Sequence, residues 1–183
     1  MEAIAARSVL VIGGARSGKS AYAQALAEAA APERLYLATA EASDDEMAER
    51  VARHRNARGA GWVTREEPLD LVAALIAEAR PERIVVVDCL TLWLSNLMSS
   101  SRDAEAEAGR LAAAVGRLEG PAILVSNEVG LGLVPETRLG RDFRDAQGRL
   151  NAEVARAADA VVFLAAGLPT LIKPAPTFDL RLV

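Results

Sequence analysis

Five short runs of consecutive apolar residues punctuate the chain: Val9–Ile12, Leu35–Ala38, Ile84–Val87, Ala122–Val125 and Val161–Leu164. Each is continuous rather than alternating, the pattern of strands covered on both faces. The intervals between them leave room for helices. The pattern therefore predicts an α/β chain with a mainly parallel central sheet and helices on both faces. Ligands of such sheets bind at the carboxyl ends of the strands, so the residues that close each run are where chemistry is expected.

Between the runs, the 3.6-residue period and the capping signals mark helices. Ala21–Ala31 is alanine-rich and reads as one. Ser43-Asp44-Asp45-Glu46 forms a capping box that opens a second. In that helix Met47, Val51 and His54 share one stripe, while Arg50, His54 and Arg58 form a column at spacing four. Gly59 and Gly61 end it, and Trp62-Val63-Thr64 reads as a short additional strand. Pro68–Ala79 is expected to be helical, with Leu69, Val72, Leu75 and Ile76 facing inward. Leu90–Met98 is apolar on several sides and reads as a buried helix, Ser99–Arg102 as a loop, and Glu105–Glu119 as an exposed helix. Thr137–Ala158 predicts a long helix lined by Leu139, Phe143, Leu150 and Val154, with Arg138/Asp142 and Arg141/Asp145 paired at spacing four. Gly140 and Gly148 cost that helix about 1 kcal/mol each against alanine, which close packing would explain. Gly167–Val183 reads as an extended tail.

The stretch after the first run is Gly13-Gly14-Ala15-Arg16-Ser17-Gly18-Lys19-Ser20, which fits G-x-x-x-x-G-K-[ST] at every fixed position. Glycines let backbone N–H groups curl around phosphate oxygens. Lys19 is placed to reach the β- and γ-phosphates, and the Ser20 hydroxyl to ligate Mg²⁺. The helix that follows points its positive end at the same anion. Asp88 closes the third run. An acid there either orders the Mg²⁺ shell or caps the following helix. Ser126-Asn127-Glu128 put polar groups where the fourth run meets the ligand side, so Asn127 and Glu128 join the candidate nucleotide-binding set. The loop Val129–Pro135 reads either as packed on the core or as a mobile cover over substrate. Cys89 reads as a core residue, since nothing marks it as a thiolate.

Composition narrows the classes. The chain has 183 residues, enough for one domain spanning 1–183, and a net charge of −4 from 25 acids and 21 bases. With no basic surplus and no polybasic run, nucleic acid and membrane surfaces are not expected partners. The first apolar run is too short for a membrane or secretory segment. One cysteine allows no internal disulfide, which suits a cytoplasmic setting. Among the bases only Lys19 and Lys173 are lysine, so an arginine-writing chain places a lysine where the phosphate loop needs one.

Several segments together carry a resemblance: GGARSGKS (13–20), YLATA (36–40), DDEMAERVARHR (44–55), VDCLTLWLSNL (87–97), SNEVGLGLVPE (126–136), FRDAQGRLN (143–151) and AAGLP (165–169). In this order they resemble the bifunctional adenosylcobinamide kinase / adenosylcobinamide-phosphate guanylyltransferases of cobalamin biosynthesis. The resemblance implies a single-domain P-loop nucleotide-binding fold and two reactions. In the first, ATP or GTP phosphorylates adenosylcobinamide. In the second, GMP passes from GTP to adenosylcobinamide phosphate through a covalent histidine intermediate. His54 falls at that histidine's position and is the one histidine in the chain. The resemblance also suggests a homo-oligomer, a trimer.

Pattern alone favours a structural reading of His54, as a core or surface histidine of its helix. Its cationic neighbours Arg50 and Arg58 favour neutral imidazole and suit a triphosphate attacked at the α-phosphorus. A simple metabolite kinase with a structural His54 is the competing reading. A GTP-dependent switch is a third, though the chain lacks the N/T-K-x-D segment such proteins use to read guanine.

Overall fold

The computed structural model describes residues 4–40 and 59–175. Strands β1 (Ser8–Gly13), β2 (Glu33–Ala38), β3 (Trp62–Glu66), β4 (Arg83–Asp88), β5 (Ala122–Asn127), β6 (Ala160–Ala165) and β7 (Leu168–Lys173) form one sheet in the order β3-β2-β4-β5-β1-β6-β7. All neighbouring pairs are parallel except β6 and β7. The described helices are α1 (Lys19–Ala30), α2 (Leu71–Glu78), α3 (Leu90–Ser99), α4 (Ala104–Val115) and α5 (Arg138–Ala157). Among the described residues, no helix is long and apolar enough to cross a membrane.

The continuous apolar runs become strands because successive side chains enter opposite layers. Leu10, Leu37, Val85, Val87 and Leu124 join the core beneath α2–α5. Their neighbours Val11, Tyr36, Val86, Ile123 and Val125 join a second core, which includes Ala23 and Ala27 of α1. The alanines of α1 let that helix lie close to the sheet. The expected short strand at Trp62-Val63-Thr64 forms and extends to Glu66 at one edge.

Three inward faces differ from expectation. In α2 the buried residues are Leu71, Val72, Ala74 and Leu75, which centre the inward stripe away from Ile76, and Ile76 is exposed. In α5 the buried residues are Gln147, Leu150, Asn151 and Val154, and Leu139 is exposed. In α4, read as exposed, Ala108, Leu111, Ala114 and Val115 are buried against the core. Arg138 pairs with Asp142 at 3.6 Å. Arg141 instead donates to the Pro135 and Glu136 carbonyls, and Asp145 lies beside Arg144. Gly140 packs under Pro135, where a Cβ would come within 2.8 Å of the proline Cβ, whereas Gly148 faces open space and has no packing explanation.

The predicted extended tail is the largest correction. Leu168–Lys173 is a strand that folds back antiparallel on β6. Its apolar residues Leu168, Leu171 and Ile172 lie at an edge and stay exposed, outside the two-faced burial that marks the inner strands. Ser43–Glu46, Met47, Arg50, Val51, His54, Arg58 and residues 176–183 lie outside the described residues.

Candidate nucleotide site

Residues 13–20 fold as a loop between β1 and α1. The turn needs left-handed backbone at Arg16 (φ 55°) and Gly18 (φ 94°), and glycine meets that demand without strain at the second position. Gly13 is required for a different reason. A Cβ there would stand 2.4 Å from the Leu164 carbonyl oxygen and 2.9 Å from Ser17 Oγ. Lys19 is 7% exposed, and its ammonium donates to the Gly14 carbonyl at 2.6 Å, folding the side chain back across its own loop. Burial lowers the Lys19 pKa, while Cys89 and Asp88 nearby oppose that shift.

Asp88 ends β4 and faces the same space. Its Oδ2 accepts from the Tyr36 hydroxyl at 2.7 Å. The Tyr36 and Trp62 rings meet edge-to-face with centroids 6.3 Å apart, and the Arg34 guanidinium lies 5.7 Å from the Trp62 ring centroid. Asp88 does not cap α3, whose N-cap is Cys89 with no side-chain cap. The Cys89 thiol is buried and its pKa is raised, first by burial and then by the neighbouring Asp88 charge. This agrees with the expected core role.

The fully buried Thr39 stitches β2 to the end of β4. Its hydroxyl donates to the Cys89 carbonyl at 2.7 Å and accepts the Cys89 N–H at 2.8 Å. The Thr39 N–H reaches the Asp88 carbonyl at 3.2 Å, and Asn96 Nδ2 holds the Thr39 carbonyl at 2.8 Å. Asp88 is thereby fixed relative to the point where the chain leaves β2.

These groups converge on a cavity of about 610 Å³, lined by loop residues Ala15 to Ser20 together with Tyr36, Ala40, Asp88, Cys89 and Asn127. That volume suits a small-molecule ligand. Of the predicted site residues, the loop, Asp88 and Asn127 come together here. Gly13 and Gly14 support the loop from behind, through carbonyls bonded to the Glu128 N–H and the Lys19 ammonium. Glu128 turns its carboxylate onto the Gly130 N–H at 2.6 Å and is not among the lining residues. The loop that follows is not packed on the core, since Leu131, Leu133 and Val134 are exposed. His54, Arg50 and Arg58 lie outside the described residues, between the lining residue Ala40 and Gly59.

Sequence reasoning passed over Tyr36, Thr39 and Thr91. It also missed Gln147 and Asn151, which are buried on the inward stripe of α5 beside Leu150 and Val154. Two amides one turn apart on an otherwise apolar stripe are a legible signal, because core positions are not left polar without a partner.

Comparison with known proteins agrees with this geometry. Two solved structures share the fold with TM-scores just above one half. The ATPase EscN of the enteropathogenic E. coli type III secretion system gives 0.52 at 12% identity, covering 88% of this chain and 43% of that one. A prototypical type III secretion ATPase gives 0.51 at 12% identity, covering 87% of this chain and 51% of that one. At such identity they speak for the P-loop nucleotide-binding fold alone. The bifunctional adenosylcobalamin biosynthesis protein CobP of Pseudomonas aeruginosa is 47% identical over 171 residues, covering 91% of this chain and 98% of the relative. The CobU proteins of Salmonella typhimurium and Escherichia coli are each 39% identical over 180 residues, covering 90% of this chain and 99% of each relative. The family model for cobinamide kinase / cobinamide phosphate guanyltransferase matches residues 9–172. The chain belongs to the cobinamide kinase / cobinamide phosphate guanyltransferase family.

Proposed function

We propose that this chain phosphorylates adenosylcobinamide with ATP or GTP and then guanylylates the product with GTP, forming adenosyl-GDP-cobinamide. One domain, residues 1–183, carries both steps in the cytoplasm. In the first step a substrate hydroxyl attacks the γ-phosphorus, and the nucleoside diphosphate leaves. In the second, a His54 ring nitrogen attacks the α-phosphorus of GTP. A nitrogen–phosphorus bond forms, the α–β anhydride breaks and pyrophosphate leaves. An oxygen of adenosylcobinamide phosphate then takes the GMP and frees the histidine.

One observation carries the reading. Lys19, Ser20 and Asp88 line a single cavity with Ala40, the last described residue before the segment of sequence that contains His54. Residues 13–20 cradle the phosphates. Lys19, drawn from the Gly14 carbonyl, neutralises charge developing between the β- and γ-phosphates. Ser20 and Asp88 supply a hydroxyl and a carboxylate, hard oxygen donors that would hold Mg²⁺. When bound, that ion neutralises phosphate charge. Asn127 closes the loop side, Glu128 braces the loop through its N–H on the Gly13 carbonyl, and Arg50 and Arg58 offset triphosphate charge near His54. Two displacements at histidine split a difficult transfer into easier ones.

The test is incubation with GTP labelled at the α-phosphate. Labelled GMP is expected on the denatured protein through a bond labile in acid and comparatively stable in base, with labelling falling as pH drops through the histidine pKa. His54→Asn is expected to abolish labelling and guanylyl transfer while leaving phosphorylation of adenosylcobinamide measurable. Acid-labile guanylylation that persists in His54→Asn excludes the intermediate.

A further inference from the structure

At the end of β5 the ladder and the side chains exchange roles. On the β4 side the ladder stops at Asp88 opposite Val125, two residues before β5 ends. Side chains then take over the strand. Thr91 Oγ1 of α3 accepts the Asn127 N–H at 2.9 Å. Asn151 Nδ2 of α5 donates to the Asn127 carbonyl at 3.1 Å. Asn127 is therefore gripped at both backbone polar groups by side chains of two different helices.

The second grip is itself built on a buried network. Ser126 Oγ donates to Asn151 Oδ1 at 2.6 Å, and Gln147 Nε2 donates to the same oxygen at 2.9 Å and to Ser126 Oγ at 3.0 Å. Ser126 and Gln147 are fully buried, and Asn151 is 5% exposed. Gln147 Oε1 is also buried and finds no donor among the described residues. A polar cluster of this kind is costly in a helix–sheet interface that apolar residues would fill. Its geometry has one outlet, the Nδ2 bond to Asn127.

Asn127 is Cα partner to Gly13, where the phosphate loop begins, and its strand separates β1 from the Asp88 strand. It lines the cavity with Lys19 and Asp88. That is the phosphate end of the site. A neutral carboxamide there donates to a phosphate oxygen without adding charge. We propose that Asn127 reads the terminal phosphate of the bound nucleoside triphosphate, and that Thr91, Ser126, Gln147 and Asn151 are positioning residues that set it. The inference rests on the nucleotide site proposed above and assigns its discrimination between tri- and diphosphate.

The test measures binding rather than turnover. The full chain is titrated calorimetrically with GDP and with the β,γ-imido analogue of GTP, with a thermal melt of each variant. Asn127→Ala is expected to weaken the analogue about tenfold and to leave GDP within about twofold. Thr91→Val, which keeps the shape and removes the acceptor, is expected to shift the ratio the same way by about threefold. Thr91→Ser, which restores a hydroxyl, is expected to return it to within about twofold of the parent. Equal weakening of both ligands by Asn127→Ala, or none, overturns the proposal. A Thr91→Val ratio equal to the parent's overturns the positioning half. If the unaltered protein binds neither nucleotide, the functional reading falls with it; if it binds both and the ratio never moves, this inference alone falls.

Discussion

Tyr36→Phe removes one oxygen atom from the floor of the cavity and nothing else. Tyr36 is 8% exposed and its ring packs edge-to-face with Trp62 at 6.3 Å, a contact that phenylalanine keeps. Among the described residues, the hydrogen bond lost is the 2.7 Å bond to Asp88 Oδ2. A hydrogen bond to a charged group contributes about 1.5–3 kcal/mol. Asp88 is only half-buried, so water replaces part of the bond, and the expected cost is about 1–2 kcal/mol. For a chain of this length that is a fall in Tm of about 2–8 °C.

The assay is a double-mutant cycle in urea with Tyr36→Phe, Asp88→Ala and the double variant. If the bond accounts for the cost, Tyr36→Phe destabilises the parent but not the Asp88→Ala background, giving a coupling of about 1–2 kcal/mol. Equal costs in both backgrounds, within about 0.5 kcal/mol, refute the reasoning and return Tyr36 to packing alone.

Two further outcomes follow from contacts remote from the cavity. Lys173 Nζ donates to the carbonyls of Ala155, Arg156 and Ala158 at the end of α5. Lys173→Met is expected to cost about 1–2 kcal/mol in urea denaturation, through loss of a cation from a helix C-terminus. Asp159 accepts from the N–H groups of Arg7 and Ser8 and from Ser8 Oγ, and these bonds hold its pKa below the usual value. A depressed carboxylate pKa stabilises the fold above the unfolded pKa, about 3.9, and that contribution is lost as pH falls below it. Asp159→Asn should therefore lower stability at neutral pH and flatten the acid limb of a stability–pH curve.

What the sequence disclosed and what it hid have separate causes. Buried parallel strands announce themselves because both faces need apolar residues, so the five runs became β1, β2, β4, β5 and β6. The phosphate loop was legible because its demands are local. Leu168–Lys173 was not, since an edge strand with exposed leucines and a proline has neither alternation nor burial to mark it. Thr39, Thr91 and Tyr36 were passed over for another reason. Each acts across the sheet on a residue far away in sequence, and no spacing rule connects Thr39 to Cys89 or Tyr36 to Asp88. Gln147 and Asn151 stood at core positions of α5 and were readable as buried amides, but their partner Ser126 was not.

The phosphate loop is local in sequence, yet its support is not. The Ser17 carbonyl accepts the Gly167 N–H at 3.0 Å. A Cβ on Gly18 would lie 3.3 Å from the Gly167 Cα, and Gly13 is pressed against the Leu164 carbonyl. Gly167 belongs to the turn joining β6 to β7, where Ala166 and Gly167 both take positive φ, 51° and 81°. That turn comes close to the loop only because β7 folds back on β6, and Lys173 at the end of β7 grips the carboxyl end of α5. Along α5, Gln147 and Asn151 hold Asn127 on the loop's other flank. A single stretch, Arg138 to Lys173, therefore supports the loop on both sides. Its strands and helix set the distance between the Gly18 end and the Asn127 end, across which a phosphate chain has to fit. A change anywhere in that stretch that shifts α5 against the sheet acts on the site from a distance, while leaving every residue of the loop motif intact.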